Sequence, residues 1–481
     1  MAGNPLVEIM NPGSVAIVGA SNNIMKMGTV LLTSILRGNY PGKIYPIHPR
    51  EETVFGLKTY RKAADLPEAP DLAVLVIPTR AVPQVLGELG ERGVRKAIII
   101  SGGFSEVGEE GGELEKEIVA VARRYGIRFI GPNCIGVINT RGKLNTTFFP
   151  YLHEPGGIGI ASQSGTYITQ VISYLAKYQI RYSQAISVGN SVDIDLVDCL
   201  EYLGEDPETK AIALYIEAIR RGREFLEAAR EVTRKKPVVA LYVGGTEAGA
   251  RSSLSHTGAL SGPDAIYEGA LRQSGIIRVE TVEELYDWSW ALATQPPARG
   301  RNIVVLSHSG GPTTSMADAC ERWGLRVPIL RDDLQEKVRE FIAPTASPRN
   351  PIDLTFSMDL SILADKIPRV LLADPEVDGM VIHGITLPPS LKGMRELAPN
   401  RDEVPFQDME KIVASMLTEL IEFPRIFGKP ILCSAFWGEK DHAVVFLQSR
   451  GIPCFPAPER AVKAMAALCQ YGEIREKMHN G

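Results

Sequence analysis

Short apolar runs alternate with amphipathic stretches along most of the chain. The first runs cover residues 15–21, 44–47, 72–77 and 97–100, and a helical pattern at residues 28–37 follows the first of them. Buried strands that alternate with helices are typical of parallel, doubly wound sheets. The pattern therefore predicts an α/β protein, with ligands at the carboxyl ends of its strands.

The same alternation continues to the end of the chain, which has 481 residues and room for about three domains. A proline-rich segment at residues 294–301 predicts a linker. The predicted domains are residues 1–143, 144–297 and 298–481. A charged, proline-bearing segment at residues 384–401 is interpreted as a surface insertion, with no role assigned to it.

Composition narrows the range of partners. The formal charge of −5 gives no field that would attract nucleic acid, and no apolar run approaches the roughly 18 residues of a membrane helix. The first residues lack the pattern of a secretory signal. Six cysteines are scattered without a C-x-x-C pair, which is typical of reduced thiols rather than of a disulfide framework or zinc site. These features predict a cytoplasmic protein with no nucleic-acid partner, membrane or metal site.

The first strand ends in the turn GASNNI, which lacks the second glycine of a dinucleotide fingerprint. His48 and Arg50 follow the second strand, where a dinucleotide site would need an acid for the ribose hydroxyls. A dehydrogenase is therefore disfavoured, and basic side chains suit a phosphorylated ribose better. The alternative is that Lys26, Lys43 and Arg50 are ordinary surface charges.

The second and third domains open in the same way, with a strand followed by SQSG in one and SHSGG in the other. This internal duplication predicts two helix starts whose free N–H groups and hydroxyls suit phosphate. The alternative for each copy alone is helix capping by serine. His308, within the second copy, is interpreted as structural.

Residues 251–264 read RSSLSHTGALSGPD and are predicted to form a loop that is mobile or held by a ligand, because few of its side chains can pack. His256 lies in its middle. A neutral imidazole can attack a phosphoryl group and pass it on, provided that a carboxylate fixes its tautomer. Glu217, at the end of an apolar strand, is the candidate carboxylate. The alternatives are an incidental surface histidine and a strand-end acid that faces water.

Taken in order, the motifs GASNNIMKMG, SGGFSEVGEEG, GPNCIGVINT, SQSG, SVGNSVDIDLVD and SHTGALSG resemble the alpha subunit of the NDP-forming acyl-CoA synthetases. This family belongs to the succinyl-CoA synthetase superfamily, and the order of elements is that of its ADP-forming acetyl-CoA synthetase branch. The resemblance implies an N-terminal Rossmann-like CoA-binding domain followed by two flavodoxin-like ligase domains.

The resemblance also implies the roles of individual residues. His256 would be the phosphorylated histidine and Glu217 the acid that holds it. The residues that align with the CoA-binding stretch are Ser21, Lys26, Gly28, Lys43, Ile77, Pro78, Ser101, Gly102, Gly103 and Phe104. Those that align with the phosphate and acyl-phosphate sites are Ser162, Ser164, Gly165, Gly189, Asn190, Ser309, Gly310 and Gly311.

The implied reaction converts acyl-CoA, ADP and phosphate into a carboxylic acid, CoA and ATP through an acyl phosphate and a phosphohistidine. CoA and ATP or ADP with Mg²⁺ are the implied cofactors, and the substrate is a small carboxylic acid or its acyl-CoA. Three CoA-ligase domains leave no room for an ATP-grasp module, and no Walker A motif replaces it, so a separate beta subunit is expected. The alternative is a non-catalytic CoA-binding regulatory protein of the same fold.

Overall fold

The computed structural model describes residues 3–151, 154–257, 262–355, 357, 359–387, 406–436 and 438–480. The chain divides into two compact units, residues 1–173 with 181–285 and residues 174–180 with 286–481. Each unit is built on mainly parallel sheets, so the predicted α/β class is confirmed. None of the described helices is long and apolar enough to cross a membrane.

The first sheet is parallel and has the strand order β2-β1-β5-β6-β7. The four strands predicted in this region are confirmed, and most of their ends differ by at most two residues. The exception is the first strand, which ends at Val18 rather than at residue 21. The strands of this region are β1 (Ser14–Val18), β2 (Lys43–Ile47), β3 (Thr53–Val54), β4 (Leu57–Lys58), β5 (Leu72–Leu75), β6 (Lys96–Ile99) and β7 (Arg128–Ile130), where β3 and β4 form a separate hairpin. The helices are Leu6–Met10, Met27–Arg37, Val82–Arg92 and Glu109–Tyr125, with short 3₁₀ turns at Ala63–Asp65, Thr79–Ala81 and Ser105–Val107.

The second sheet has the order β14-β13-β12-β10-β11-β8-β9, and β8 and β9 are its antiparallel members. Its strands are β8 (Val137–Asn139), β9 (Leu144–Asn145), β10 (Ile158–Ser162), β11 (Tyr182–Ser187), β12 (Ala211–Ile216), β13 (Val238–Tyr242) and β14 (Ile277–Val279). The helices are Thr166–Thr169, Ile172–Lys177, Leu196–Glu205, Gly222–Lys235, Glu247–Thr257, Asp264–Gln273 and Val282–Thr294. The strands on either side of the predicted 143/144 boundary therefore both belong to this sheet.

One buried core connects the first two sheets. Leu31 and Ile35 on the helix Met27–Arg37 belong to the same hydrophobic cluster as Ile212 and Leu214 of β12. Burial of such side chains stabilises each by about 1.5–3 kcal/mol relative to exposure. The carboxyl ends of both sheets are consequently held in one unit, where they can share a site.

The third sheet is parallel throughout, with the order β16-β15-β17-β18-β19. Its strands are β15 (Ile303–Ser307), β16 (Ile352–Asp353), β17 (Gly379–His383), β18 (Ile431–Ser434) and β19 (Cys454–Phe455). Its α-helices are Gly310–Arg322, Asp332–Arg339, Ile367–Leu372, Phe406–Phe427, His442–Ser449 and Pro458–Asn480, and Ile362–Lys366 forms a π-helical turn. Of the predicted insertion at 384–401, residues 388–401 lie outside the described residues.

The segment around His256 differs from its prediction. Residues 251–257 were expected to be loop, but they continue the helix Glu247–Thr257. Thr246 begins it by accepting a hydrogen bond at Oγ1 from the backbone N–H of Gly249 (3.1 Å). The prediction considered burial alone, whereas a capped segment with alanines forms a helix without a large apolar face. Residues 258–261 lie outside the described part of the chain.

Candidate active site

A cavity of about 1120 Å³ lies at the carboxyl ends of the first sheet and extends to the turn after β10. Turns after β1, β2, β5 and β6 form its walls in the first domain, and residues 163–166 form its wall in the second. Doubly wound sheets bind their ligands at this edge. The predicted residues on its wall are Lys26, Gly28, Ile77, Pro78, Ser101, Gly102, Ser164 and Gly165.

Two glycines shape the turn after β1. Gly19 has φ +101°, and a Cβ there would lie 2.2 Å from the carbonyl oxygen of Val76. A Cβ on Gly28 would lie 2.6 Å from the carbonyl oxygen of Gly19. Both contacts are closer than real Cβ atoms tolerate, so glycine is required for the helix Met27–Arg37 to approach the strand. The turn and the helix therefore pack as closely as in a nucleotide-binding fold, although the second glycine of the dinucleotide fingerprint is missing.

Basic side chains line one end of the cavity. Lys26 and Arg50 were expected there, and Arg61 and Lys62 join them. The sequence analysis did not predict Arg61 and Lys62. They follow Tyr60, whose backbone pairs with the end of β2, and this pairing places them at the carboxyl edge of the sheet (His48 N–H to Tyr60 O, 2.9 Å). This end suits the phosphates of a nucleotide.

His48 contributes no charge to this basic end. Its Nδ1 accepts backbone N–H groups of Arg50 and Glu51 at 3.3 and 3.2 Å, and burial lowers its pKa. An imidazole nitrogen that accepts hydrogen bonds carries no proton, so the ring is neutral. Lysine and arginine therefore provide the positive charge.

Four predicted CoA-binding residues do not line the cavity: Ser21, Lys43, Gly103 and Phe104. Lys43 is the first residue of β2, hence at the opposite edge of the sheet, and its Nζ pairs with Glu68 (2.8 Å). Ser21 is buried, and its hydroxyl lies 3.4 Å from that of Thr29. Phe104 is fully buried in the core. Strand direction thus places Lys43, and burial places Ser21 and Phe104, off the cavity wall. Their part in CoA binding stays a prediction.

The turn after β10 forms the other end of the cavity. The Ser162 hydroxyl is fully buried and bonds to Ser164, accepting from its N–H (3.1 Å) and donating to its carbonyl oxygen (2.6 Å). Ser162 therefore shapes the turn from behind, while Ser164, Gly165 and Thr166 line the cavity. The expected helix is broken into Thr166–Thr169 and Ile172–Lys177.

Glu217 directly follows β12 and is 5% exposed. The Gln163 side chain holds the backbone there: its Oε1 accepts the N–H groups of Glu217 (2.7 Å) and Ala218 (3.0 Å), and its Nε2 donates to the Ala218 carbonyl oxygen (3.0 Å). Sequence reasoning missed Gln163. The available signal was its place between the two serines of SQSG, beside a neighbouring strand end.

Gly189 and Asn190 lie one layer behind the cavity wall rather than on it. A Cβ on Gly189 would lie 2.3 Å from the carbonyl oxygen of Pro132, and Asn190 is 3% exposed. The Asn190 Oδ1 accepts from Nδ2 of Asn133 (3.2 Å), which is the residue on the wall. Asn190 is therefore connected to the cavity wall through its hydrogen bond with Asn133.

Cys134 also lines the cavity, beside Asn133. Burial raises the pKa of its thiol to about 12. A thiol with this pKa is protonated at neutral pH, and the thiolate is the nucleophilic form. Covalent catalysis by Cys134 is thus disfavoured, which leaves the nucleophile to another group.

His256 lies in the helix Glu247–Thr257, and its side chain is outside the described residues. Gly262, near the end of the predicted segment 251–264, is connected to the chain just after Glu217. Tyr242 donates its hydroxyl to the carbonyl oxygen of Gly262 (2.7 Å) and stacks on Tyr267, whose hydroxyl accepts the N–H of Ile219 (3.0 Å). Two stacked tyrosines thereby join the two chain segments that were predicted to act together.

The third domain repeats the turn of the second. Ser307 Oγ accepts the N–H of Ser309 (3.0 Å), as Ser162 does for Ser164, and both first serines are fully buried. Ser309 occupies the N-cap position of the helix Gly310–Arg322, which begins with Gly310 and Gly311, and its side chain makes no capping hydrogen bond. His308 Nδ1 lies 2.5 Å from the Ser309 hydroxyl. The duplication inferred from two short motifs thus extends to their hydrogen bonds.

Comparison with known proteins identifies the family. Family models match a CoA binding domain at residues 13–140, a succinyl-CoA ligase like flavodoxin domain at 155–292 and a ligase-CoA domain at 303–472. Acetate–CoA ligase (ADP-forming) II subunit alpha of Pyrococcus furiosus is 38% identical, covering 96% of each chain. The chain belongs to the family of ADP-forming CoA ligases.

A solved structure of the family agrees with this assignment. Dinucleotide forming acetyl-coenzyme A synthetase 1 of Ca. Korarchaeum cryptofilum, in complex with phosphate and ADP, superposes with a TM-score of 0.87 at 34% identity over 99% of both chains. The prediction of an ADP-forming acid–thiol ligase is confirmed, as is the use of CoA and a nucleotide. The alternatives of a regulatory CoA-binding protein and a dehydrogenase are not supported.

Proposed function

We propose that this chain carries the acyl-transfer and phosphohistidine steps of an ADP-forming ligase for a small carboxylic acid such as acetate. One observation carries the proposal. A single cavity runs from a basic nucleotide-type end to the Ser164–Thr166 turn, where Gln163 connects that turn to the Glu217 strand end. A thioester that extends from CoA at the basic end would reach phosphate at the turn.

We propose the following steps for this site. Phosphate held by N–H groups of the turn attacks the thioester carbonyl, the C–S bond breaks, and CoA leaves as a thiolate that takes up a proton. A nitrogen of His256 then attacks phosphorus in the acyl phosphate, and the carboxylate leaves. Glu217 keeps the other ring nitrogen protonated and stabilises the positive charge that develops. Phosphohistidine finally transfers its phosphoryl group to ADP.

We assign the nucleotide to a partner, an ATP-grasp beta subunit. The Pyrococcus furiosus relative is named as a subunit alpha. Acetate–CoA ligase (ADP-forming) of Methanocaldococcus jannaschii, 36% identical, matches 98% of this chain but only 64% of its own length, which leaves about a third of that protein for other modules. We assign Mg²⁺ to the same partner, together with the nucleotide. Six buried free thiols support a cytoplasmic location.

Labelling of the purified chain tests the phosphohistidine. Acetyl-CoA with radioactive phosphate should give an acid-labile, alkali-stable label that His256→Asn abolishes, because a phosphoramidate forms only on the imidazole. His442→Asn is the matched control, since His442 is a half-exposed residue paired with Glu410 in the third domain. A label that persists in His256→Asn would mean that another residue carries the phosphoryl group.

The basic end of the cavity predicts a second result. The double variant Arg61→Gln with Lys62→Gln should weaken CoA binding roughly tenfold or more, because each charge-assisted hydrogen bond to phosphate contributes about 1.5 kcal/mol. Isothermal titration would measure the dissociation constant at low and high salt, and the loss should shrink as salt rises. Lys43→Gln is the control: an equal loss there would move CoA to the opposite edge of the sheet.

A further inference from the structure

We propose that His48 is a positioning residue: its neutral imidazole holds the turn after β2 in the shape that binds CoA, so CoA binding requires an unprotonated ring. The inference rests on the proposed function in one respect, since it takes the basic end of the cavity as the place of the CoA phosphates. Its subject is how tightly the site holds CoA and how this affinity depends on pH.

The hydrogen bonds of His48 determine where its proton lies. Nδ1 accepts the backbone N–H groups of Arg50 (3.3 Å) and Glu51 (3.2 Å), so the one proton of the neutral ring is on Nε2. An asparagine or aspartate side chain often closes a turn in this way. Asp441 does so in the third domain, where its Oδ1 accepts the N–H groups of the second and third residues after it (2.9 and 3.1 Å). The imidazole is thus the acceptor on which the turn after β2 depends.

This turn supports two of the cations on the cavity wall. Arg50 lies within the turn and lines the cavity. Glu51 accepts a hydrogen bond at Oε2 from Nδ2 of Asn22 (3.0 Å), which lies in the turn after β1. Lys26 follows in that same turn and also lines the cavity. The two turns are therefore joined, and opening of the turn after β2 would displace both cations.

A second proton on the ring is incompatible with this arrangement. Nδ1 would then carry a hydrogen that faces two N–H donors, so the turn would have to open. Burial lowers the pKa of His48; the Glu51 carboxylate opposes this effect, and the cations of Lys26 and Arg50 add to it. In the described part of the chain, the other charged residues on the cavity wall are Arg61, Lys62 and Glu88. The site therefore favours the neutral ring.

The sign of the pH effect follows from which form binds. The neutral ring is fully populated at high pH and is lost as pH falls through the pKa of His48. CoA that binds to the closed turn should consequently bind more weakly in acid. This loss comes in addition to any loss caused by protonation of the phosphates of CoA itself.

Isothermal titration of the full chain with CoA, at about pH 8 and at about pH 5, tests the proposal on three proteins. His48→Asn keeps an acceptor for the turn but cannot be protonated. It should match the wild type at high pH and bind CoA roughly threefold or more tightly than the wild type in acid. His48→Leu has no acceptor and should bind CoA roughly tenfold more weakly than the wild type at high pH. Protonation of CoA is common to all three proteins, so the ratios of their dissociation constants report on residue 48 alone.

His442→Asn is the matched control. It removes a half-exposed histidine of the third domain that pairs with Glu410, and it should follow the wild type at both pH values.

Three results would overturn the role of His48. One is a ratio of the wild-type and His48→Asn dissociation constants that does not change with pH. Another is tighter binding by the wild type than by His48→Asn in acid, which would mean that the protonated ring binds a CoA phosphate directly. The third is equal affinity of His48→Leu and the wild type at high pH. Full CoA affinity in the double variant Arg61→Gln with Lys62→Gln would instead contradict the placement of CoA in this cavity, and with it the proposed function.

Discussion

Replacing Glu217 with Gln should lower the rate at which acetyl-CoA and phosphate label His256 by roughly 10²–10³-fold. The two side chains have the same size, so the fold and CoA binding should be retained. The loss comes from charge: in the proposed reaction a carboxylate fixes the imidazole tautomer and stabilises the positive ring, and at 5% exposure little water can replace it. Single-turnover labelling with saturating acetyl-CoA would measure the rate.

Glu205→Gln provides the control for this experiment. Glu205 ends the helix Leu196–Glu205 shortly before β12 begins, at the opposite edge of the sheet, and pairs with Lys235. Its replacement should leave the labelling rate unchanged. A wild-type rate in Glu217→Gln would mean that another group orients His256, whereas loss of CoA binding in the same variant would indicate a structural role for Glu217.

The fold was predictable because its strands are buried runs. Every residue of β1, β12 and β15 is buried, and short continuous apolar segments between amphipathic helices are typical of the central strands of a parallel sheet. The helix Glu247–Thr257 shows the limit of this reasoning. Its sequence has no apolar stripe, so its helical conformation depends on capping and on intrinsic preference, which a search for burial overlooks.

The candidate site was predictable where chemistry is local and not where it depends on distant contacts. Ser164, Gly165 and Glu217 follow the ends of strands, and parallel strands bring their ends together. Lys43 was chosen by matching a motif, and the structure places it at the start of its strand, at the edge of the sheet opposite the cavity. The part that Gln163 takes in the site arises from hydrogen bonds to Glu217 and Ala218, far along the chain, which no spacing rule reveals.

Gln163 is expected to be a positioning residue, and its replacement carries the second large effect. Gln163→Ala would leave the buried N–H groups of Glu217 and Ala218 without their acceptor, which costs about 1–3 kcal/mol for each group. The Glu217 strand end would then shift away from the turn. We expect the His256 labelling rate to fall by roughly 10–100-fold, since small misplacements at a reacting centre have effects of this size. CoA affinity should be unchanged.

Gln163→Glu separates positioning from general destabilisation. The new carboxyl keeps an acceptor for both N–H groups, but when ionised its second oxygen faces the Ala218 carbonyl, to which the Gln163 amide now donates. When protonated, it can donate as the amide does. Burial and nearby Glu217 raise the pKa of the new group, so the labelling rate relative to wild type should recover as pH falls.

A matched substitution distinguishes positioning from a loss of stability alone. Gln448 is a buried glutamine in the third domain that donates its amide to the carbonyl oxygen of Cys454 (2.9 Å). Like Gln163→Glu, Gln448→Glu should lower the stability of the fold at neutral pH. It should leave the labelling rate unchanged, because the hydrogen bond from Gln448 to Cys454 supports no residue of the proposed site. If both variants lowered the rate equally, or if Gln163→Glu showed no recovery at low pH, Gln163 would be a stabilising residue without a part in positioning Glu217.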